Sequence, residues 1–440
     1  MDDVIARDFV PATEVQRTAV REAPRFQPEL LRKQSPTSRL MQSVFGKLID
    51  PFFALLRWAA PVLQVPWVRN GSLIWFALIT RYETVREVLN NSRAFASPYG
   101  PKLQELSGSP FLLGRDDGAD YRADLQLATR AFPLSDIPEL GQKAENAARE
   151  IMDRTSRGID VMAELASPVL RRVCQDYLGV ATDDRDFALW AMAAAGYVLE
   201  PTGRDDTVAS AQAHAAAARL CEAIDNSRAR IGQGVHQTVL RRLAEIERRD
   251  PQHVDDTAIR ALIFGVIIAM IPTGMLAIGH ILEMLLRRPE MMNAAQQAAH
   301  AGDSEWLRRC LFEALRFKPI IPVWPRDCVR TFDLPADECR SRRIRAGTRV
   351  LVSTQSAMRD ARHVREPNRF DPGRPASDYM HFGQGLHYCL GAAIASAVIP
   401  AILKPLLLRG GIAAGQGPRT LFANVFPESF PVNFSELRRP

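Results

Sequence analysis

An eleven-residue stretch near the carboxyl end of the chain limits most strongly what the chain can fold into. It reads His-Phe-Gly-Gln-Gly-Leu-His-Tyr-Cys-Leu-Gly at residues 381–391, and an apolar run typical of a helix follows at residues 392–399. A helix N-terminus favours a thiolate, and glycine lets the backbone approach a flat cofactor closely. An isolated cysteine in such a turn is more often only a buried side chain. Interpreting Cys389 as a metal ligand therefore depends on the full spacing.

That spacing, Phe382-x-x-Gly385-x-x-x-Cys389-x-Gly391, resembles the haem-binding loop of the cytochrome P450 family. The resemblance implies haem b as the cofactor, with Cys389 as the thiolate ligand of the iron, a ligand that favours O–O cleavage. It also implies that Phe382 packs beside the sulfur and that His387 reaches a haem propionate.

A second motif, Glu313-Ala-Leu-Arg316, precedes the cysteine on a predicted helix. Read alone it is an ordinary pair of charges three residues apart, which contributes little to stability. Its position before Cys389 and before Phe370-Asp-Pro-Gly-Arg374 strengthens the resemblance. By that resemblance Glu313, Arg316 and Arg374 form one buried network of bidentate hydrogen bonds.

Further contacts follow from the same resemblance. Arg326 stands where the family places a propionate-binding arginine, a task that suits the forked guanidinium. Val323 and Trp324 are expected to line the substrate pocket, and so is Val425, from a turn near the C-terminus. The family's usual propionate-binding pair on an earlier helix is absent, so Tyr121 and Arg122 are the candidate substitutes.

Residues 261–279 form a segment without an ionisable side chain, and this segment is long enough to span a membrane. The segment is far from either terminus, has Pro272 near its centre and continues into charged residues, so we interpret it as the buried central helix of a large core. By resemblance this helix crosses the oxygen-binding side of the haem, with Ala269 and Met270 facing the substrate. Thr273 takes the catalytic threonine position, whereas Pro272 replaces the usual acid.

The loss of that acid leaves the function open between three hypotheses. Proline lacks an N–H, so the helix is predicted to bend, and the Ile268 carbonyl and the Thr273 hydroxyl are predicted to hold a water that relays protons. The leading hypothesis is a monooxygenase. The second is a haem-thiolate enzyme that uses peroxide or is redox-neutral (a peroxygenase, dehydratase, isomerase or an enzyme of nitrogen-group chemistry), and the third is a non-catalytic haem-binding protein.

Composition narrows the partners. About 50 arginines and only six lysines give a net charge of +6 without concentrating it on one element, which disfavours a nucleic-acid-binding protein. The six cysteines (174, 221, 310, 328, 339 and 389) show no paired spacing, which predicts a reducing, cytoplasmic location. The chain has no segment typical of a flavin or iron–sulfur domain. A monooxygenase would therefore receive electrons from a ferredoxin or flavodoxin and its reductase.

The predicted fold class is mostly α with a small β region, the fold of the cytochrome P450 family. Residues 1–45, with four prolines, are predicted to be an arm, and residues 46–440 a single haem-thiolate domain. Proline and glycine over residues 97–117 predict a loop that roofs the substrate. The expected substrate is a small or medium apolar molecule resembling a natural product, and no integral membrane anchor is expected.

Overall fold

The protein was analysed as a computed structural model, which describes residues 25–32, 51–58, 62–69, 72–200, 207–231, 237–252, 254–337, 340–417, 419–423 and 425–435. Most of the predicted arm lies outside these residues. The helices are Pro28–Arg32, 51–58, Tyr82–Asn90, Gly100–Ser107, Phe111–Gly114, Ala119–Ala131, Ile137–Asp153, Ser167–Leu178, Phe187–Leu199, Thr207–Ala229, Val239–Arg249, Asp256–Arg287, Pro289–Ala301, Ser304–Phe317, Thr354–Ala357 and Ala392–Leu407. The predicted fold class, mostly α with a small β region, is confirmed.

Twelve short strands are found among the described residues: β1 Val62–Arg69, β2 Ser72–Ile79, β3 Phe95–Ala96, β4 Gly158–Asp160, β5 Trp324–Cys328, β6 Phe332–Asp337, β7 Arg340–Ile344, β8 Arg349–Val352, β9 Ala413–Ala414, β10 Thr420–Phe422, β11 Phe426–Ser429 and β12 Pro431–Asn433. The largest sheet has the order β1-β2-β8-β5-β3, and only its β2–β8 pair is parallel. β5 lies inside this sheet, hydrogen-bonded to β8 on one side and β3 on the other. The sheet thereby fixes the orientation of the β5 side chains.

The central helix, Asp256–Arg287, runs through the hydrophobic core. The Asp255 carboxylate caps it by accepting the Ala258 N–H at 2.7 Å. Among the described residues it is the one helix long and apolar enough to cross a membrane, and 78% of its most apolar window is buried inside the protein. This burial agrees with the interpretation as a core helix. The residues on both sides of Pro272 belong to one continuous helix.

The roof segment, residues 97–117, differs from the predicted loop because it contains two short helices, Gly100–Ser107 and Phe111–Gly114. Pro101 suits the first turn of the first helix, where its missing N–H costs nothing. Gly108 ends that helix with a left-handed φ of 86°. The same proline and glycine that predicted a loop therefore begin and end a helix.

The helix that carries Glu313 and Arg316 spans Ser304–Phe317, and we call it the Glu313 helix. The Asp303 carboxylate caps it by accepting the Trp306 N–H at 2.9 Å. Its inward face is fully buried against the central helix and the helix Ala392–Leu407. It therefore forms part of the floor on which the cysteine-bearing segment rests.

Candidate functional site

A cavity of about 320 Å³ lies between the central helix and residues 381–391, which we call the cysteine loop. Its walls are mostly aliphatic and aromatic side chains, as is usual for sites that bind small molecules. The residues selected from the sequence that line it are Tyr121, Ala269, Met270, Thr273, Trp324, Arg326, Phe382, His387 and Cys389. The cavity thus brings together most of the candidate residues from four separate parts of the chain.

The cysteine loop is held by its own backbone. The Cys389 N–H donates to the Phe382 carbonyl at 2.9 Å, and the Ala392 N–H donates to the Cys389 carbonyl at 3.2 Å. Gly385 has a left-handed φ of 68°, and a Cβ there would come within 2.5 Å of the Leu89 carbonyl oxygen. The loop therefore needs glycine at 385 to make its turn against the helix Tyr82–Asn90.

The Cys389 side chain is exposed where it opens into the cavity and has protein on its other sides. Burial raises its pKa, and a hydrogen bond from the Gly391 backbone partly offsets that rise. A Cβ built on Gly391 would meet only the Cys389 sulfur, at 3.8 Å, within 4 Å. The backbone beside the sulfur therefore leaves room for a flat group to lie close to the thiol.

Two polar side chains in the cavity wall need a partner. The Nε2 atom of His387 is buried without a hydrogen bond to any described residue. Burial, and to a lesser extent the Arg326 guanidinium, lowers the pKa of His387 to about 4. Arg326 is 5% exposed, and its Nη1 donates to the Pro325 carbonyl at 2.9 Å, but no described carboxylate lies within 4 Å. A buried cation beside an unpaired ring nitrogen is stable only with an acidic partner, and the carboxylates of haem fit this need.

Replacing Arg326 tests that fit. We expect Arg326→Gln to weaken haem retention by roughly 10- to 100-fold, because a hydrogen bond to a charged group contributes about 1.5–3 kcal/mol. The measurement is the rate of haem transfer to excess apomyoglobin. Arg122→Gln is the matched control and should release haem at the wild-type rate. Equal rates of haem release from the two variants would show that Arg326 does not bind the haem carboxylates.

The structure separates Arg122 from Tyr121, the two candidate propionate ligands. Arg122 is exposed and lies outside the cavity wall, because successive helical residues differ by about 100° in direction and Tyr121 faces inward. The Tyr121 hydroxyl donates to the Leu386 carbonyl, so its proton is already used. Its ring meets the His387 ring edge-on, with centroids 6.1 Å apart. Tyr121 therefore supports the cysteine loop and orients His387.

Three other candidates lie off the cavity wall. Val323 precedes β5 and does not line the cavity, whereas Trp324 and Arg326, two residues apart on one face of β5, both do. Val425 is 50% exposed in the turn between β10 and β11. Pro272 is buried in the helix but turned away from the cavity that Thr273 lines.

Thr273 is the candidate catalytic side chain that faces the cavity from the central helix. Its hydroxyl donates to the Ala269 carbonyl one turn earlier, at 2.5 Å. The oxygen lone pairs of that hydroxyl therefore point toward the cavity as acceptors. Ile268 also lines the cavity. Its carbonyl has no N–H at position 272 to accept from, because that residue is proline.

The Glu313 network lies behind the cysteine loop. Both carboxylate oxygens of Glu313 accept from Arg316, at 2.8 and 2.9 Å, and one also accepts from Arg374 at 3.2 Å. The Asp371 N–H and the Tyr379 hydroxyl complete its partners, at 3.1 and 2.9 Å. The Glu313 and Arg316 side chains are fully buried. The structure thus brings together the three residues that the sequence placed in one network.

His381 links this network to the cavity and was missed from the sequence. Its ring stacks on Tyr379, with centroids 5.2 Å apart and planes 27° apart, and Tyr379 in turn binds Glu313. Burial lowers the pKa of His381 to about 3, so the ring is neutral at pH 7. The stack transmits the position of the Glu313 network to the first residue of the cysteine loop.

The upper part of the cavity was also missed. The roof segment contributes Phe111, Leu112 and Leu113, and the central helix adds Gly265 and Val266. Gly265 precedes Ala269 by four residues, so helical periodicity could have found it. Nothing in the sequence of the roof segment distinguishes Phe111 from its apolar neighbours.

Polar contacts join the roof to the two helices above the cavity, Phe187–Leu199 and Thr207–Ala229. Lys102 in the roof donates to the Tyr197 carbonyl at 2.6 Å. Glu105, one turn later, accepts from the Tyr197 hydroxyl at 3.0 Å and contacts His214 Nε2 at 2.7 Å. The roof is therefore fastened to both helices across the top of the cavity.

A comparison with protein families gives the class of the chain. The cytochrome P450 family model matches residues 187–409, about half of the chain, including the central helix, the Glu313 helix and the cysteine loop. The chain therefore belongs to the cytochrome P450 family, whose members bind haem iron through a cysteine thiolate. The predicted haem cofactor is confirmed at the level of the family.

Individual relatives support membership of the same family. Mycinamicin IV hydroxylase/epoxidase of Micromonospora griseorubida is 27% identical over 385 residues, covering 85% of this chain and 91% of that protein. Nocardicin C N-oxygenase of Nocardia uniformis subsp. tsuyamanensis is 26% identical over 373 residues, covering 82% and 88%. The crystal structure of CalO2 superimposes with a TM-score of 0.72 at 22% identity, over 92% of this chain and 99% of that one, which shows the fold alone. The chain is a P450-type monooxygenase, and the hypothesis of a non-catalytic haem-binding protein is not supported.

Proposed function

We propose that this chain is a cytoplasmic monooxygenase that oxidises a small or medium apolar molecule resembling a natural product, with Cys389 as the thiolate ligand of the haem iron. Electrons would come from a separate ferredoxin or flavodoxin and its reductase. Haem ligated through a thiolate supplies O–O bond cleavage when it is bound. The single observation that carries the proposal is the apolar cavity with Cys389 in one wall and Thr273 in the other.

The apolar wall favours an apolar substrate because a polar group placed there would lose its hydrogen bonds to water. Ala269, Met270 and Trp324 provide one side of this wall, and Phe111 and Leu113 provide part of the roof. Two relatives are named for the oxidation of mycinamicin IV and nocardicin C, which favours a substrate of that general kind. His387 and Arg326 would hold the haem carboxylates.

Protons must reach the cavity without the usual acid. The Thr273 hydroxyl donates its hydrogen bond to the Ala269 carbonyl, so it can bind a water only as an acceptor. The Ile268 carbonyl is a second acceptor, freed by Pro272. A water between these two oxygens would donate a hydrogen bond to each of them. Alternatively, it would keep one of these bonds and direct its other O–H toward the cavity. We propose this water as the proton donor in place of a carboxylic acid.

Restoring the acid tests the proton route. We expect Pro272→Asp to change oxygen-driven turnover by at least about 10-fold, because a positioned general acid contributes on the order of 10² to 10⁴ in rate. The measurements are the turnover rate and the product formed per electron consumed, with Pro272→Ala as the matched control that restores the N–H without adding an acid. Identical coupling in all three proteins would show that the acid position has no part in proton delivery.

The second candidate is an enzyme that uses peroxide or is redox-neutral, and Pro272 is the observation that favours it. An isotope experiment separates the candidates, using a ligand chosen by a spectral-shift screen. The monooxygenase proposal predicts ¹⁸O from ¹⁸O₂ in the product when NADPH and surrogate redox proteins are supplied. Label only from H₂¹⁸O₂ identifies a peroxygenase, and product without label from either source identifies redox-neutral chemistry; both results reject the leading proposal.

A further inference from the structure

Phe111 in the roof segment has an unusual backbone. Its φ is 55°, in the left-handed region that non-glycine residues rarely adopt, and bulky residues least of all. It follows Pro110, and it begins the short helix Phe111–Gly114. Strained residues of this kind cluster at ligand-binding sites, where the surrounding structure holds them in place. Phe111 is therefore a candidate for a role in ligand binding.

The Phe111 ring lies directly on Gly265 of the central helix. A Cβ built on Gly265 would come within 2.6 to 2.7 Å of three carbons of the ring. Any side chain at 265 would force the ring to move. The ring therefore occupies a space that exists only because residue 265 is glycine.

Gly265 is the first of three small residues on one stripe of the central helix. Gly265, Ala269 and Thr273 follow each other at intervals of four residues, and all three line the cavity. At 1.5 Å per residue, Gly265 is about 12 Å along the helix from Thr273. The Phe111 ring thus closes the groove at one end, and Thr273 faces the cavity further along the same groove.

The rest of the roof keeps Phe111 in place. Gly100 and Gly114 approach so closely that a Cβ on Gly114 would lie 2.5 Å from the Gly100 Cα. Arg115 donates to Asp124 at 2.5 Å, to Asp120 at 3.2 Å and to the Ser109 hydroxyl at 3.2 Å. These contacts brace the segment on both sides of residue 111. They therefore hold the backbone from which the ring enters the groove.

We propose that Phe111 is a specificity-determining residue that limits how far a substrate extends along the central helix. Compact apolar molecules fit between the ring and Thr273, and longer rigid molecules are excluded because the ring stands in their path. This inference rests on the proposed function, because it requires haem beside Cys389.

Binding of rigid imidazoles tests the limit without any turnover. Imidazole, 4-phenylimidazole and a biphenyl-substituted imidazole are titrated into the haem-loaded wild type and into Phe111→Ala, and the Soret shift gives each Kd. We expect Phe111→Ala to tighten binding of the biphenyl compound by at least about 10-fold, the gain from burying roughly one more ring. Imidazole itself, which is too short to reach Phe111, should bind both proteins within about 2-fold.

The two possible failures look different. If imidazole causes no Soret shift in either protein, the haem assignment is at fault. If imidazole binds equally and the biphenyl compound gains nothing in Phe111→Ala, the proposal for Phe111 alone is rejected.

A double-mutant cycle on thermal unfolding checks the contact itself. Gly265→Ala should lower the unfolding midpoint in the wild-type background, and Phe111→Ala should remove most of that loss, since the added methyl then has room. Equal losses in both backgrounds would show that the ring does not occupy the groove, and would overturn the proposal.

Discussion

Cys389→Ser should lower turnover by more than about 100-fold, since replacing even the outer partners of a metal ligand typically costs 10- to 100-fold. A serine hydroxyl has nearly the size of the thiol but does not ionise at neutral pH, so it cannot act as the strongly donating ligand. The variant should also lose the thiolate character of its spectrum. The measurement is turnover at equal haem content, so that loss of ligation is separated from loss of haem.

Cys221→Ser is the matched control. Cys221 is partly buried, and its sulfur lies near the Leu106 carbonyl at 3.8 Å, outside the cavity wall. This variant should retain the wild-type spectrum and turnover. If Cys221→Ser lost the thiolate spectrum and Cys389→Ser kept it, the ligand would be misassigned.

Glu313→Gln should lower the free energy of unfolding by about 3–5 kcal/mol, because it leaves the buried Arg316 guanidinium without its anion and Arg374 with only Asp378, 3.6 Å away. Glutamine has the size of glutamate, but its amide nitrogen donates where Glu313 now only accepts. Five hydrogen bonds converge on that carboxylate, from Arg316, Arg374, Asp371 and Tyr379. The measurement is denaturant unfolding followed by fluorescence.

Glu305→Gln, on the same helix, is the control for Glu313→Gln. Glu305 also binds two arginines, Arg308 and Arg309, but at the surface. Exposed pairs of this kind contribute at most about 1 kcal/mol, so the control should lose little stability. Because Tyr379 connects Glu313 to His381, Glu313→Gln should also retain less haem. A loss no larger than that of Glu305→Gln would mean that the buried network does not stabilise the fold.

Periodicity and spacing were enough for the elements that cross the core. The central helix was found because 19 residues without an ionisable side chain, far from either terminus and continuing into charged residues, favour a buried core helix. The Glu313 helix was found from the spacing of Glu313 and Arg316. The pairing of Glu313 with Arg374, 61 residues away, came from the resemblance to a known family and not from pattern.

The errors concern side-chain direction and tertiary contacts. Arg122 and Val323 each lie one residue from a cavity residue. A shift of one residue turns a helical side chain by about 100°, and Val323 lies just before the strand that positions Trp324. The local sequence also does not predict the close approach of Gly100 to Gly114 or the packing of the Phe111 ring against Gly265. Such features arise only when distant segments meet, so they had to be read from the structure.

The ligation of the haem iron by the Cys389 thiolate is the point on which the proposed function depends. The most direct measurement is the absorption spectrum of the reduced, carbon monoxide-bound wild-type protein. We predict a Soret band at the strongly red-shifted position typical of thiolate-ligated haem, lost in Cys389→Ser and kept in Cys221→Ser. A wild-type band at the shorter wavelength typical of histidine-ligated haem would overturn the assignment of Cys389.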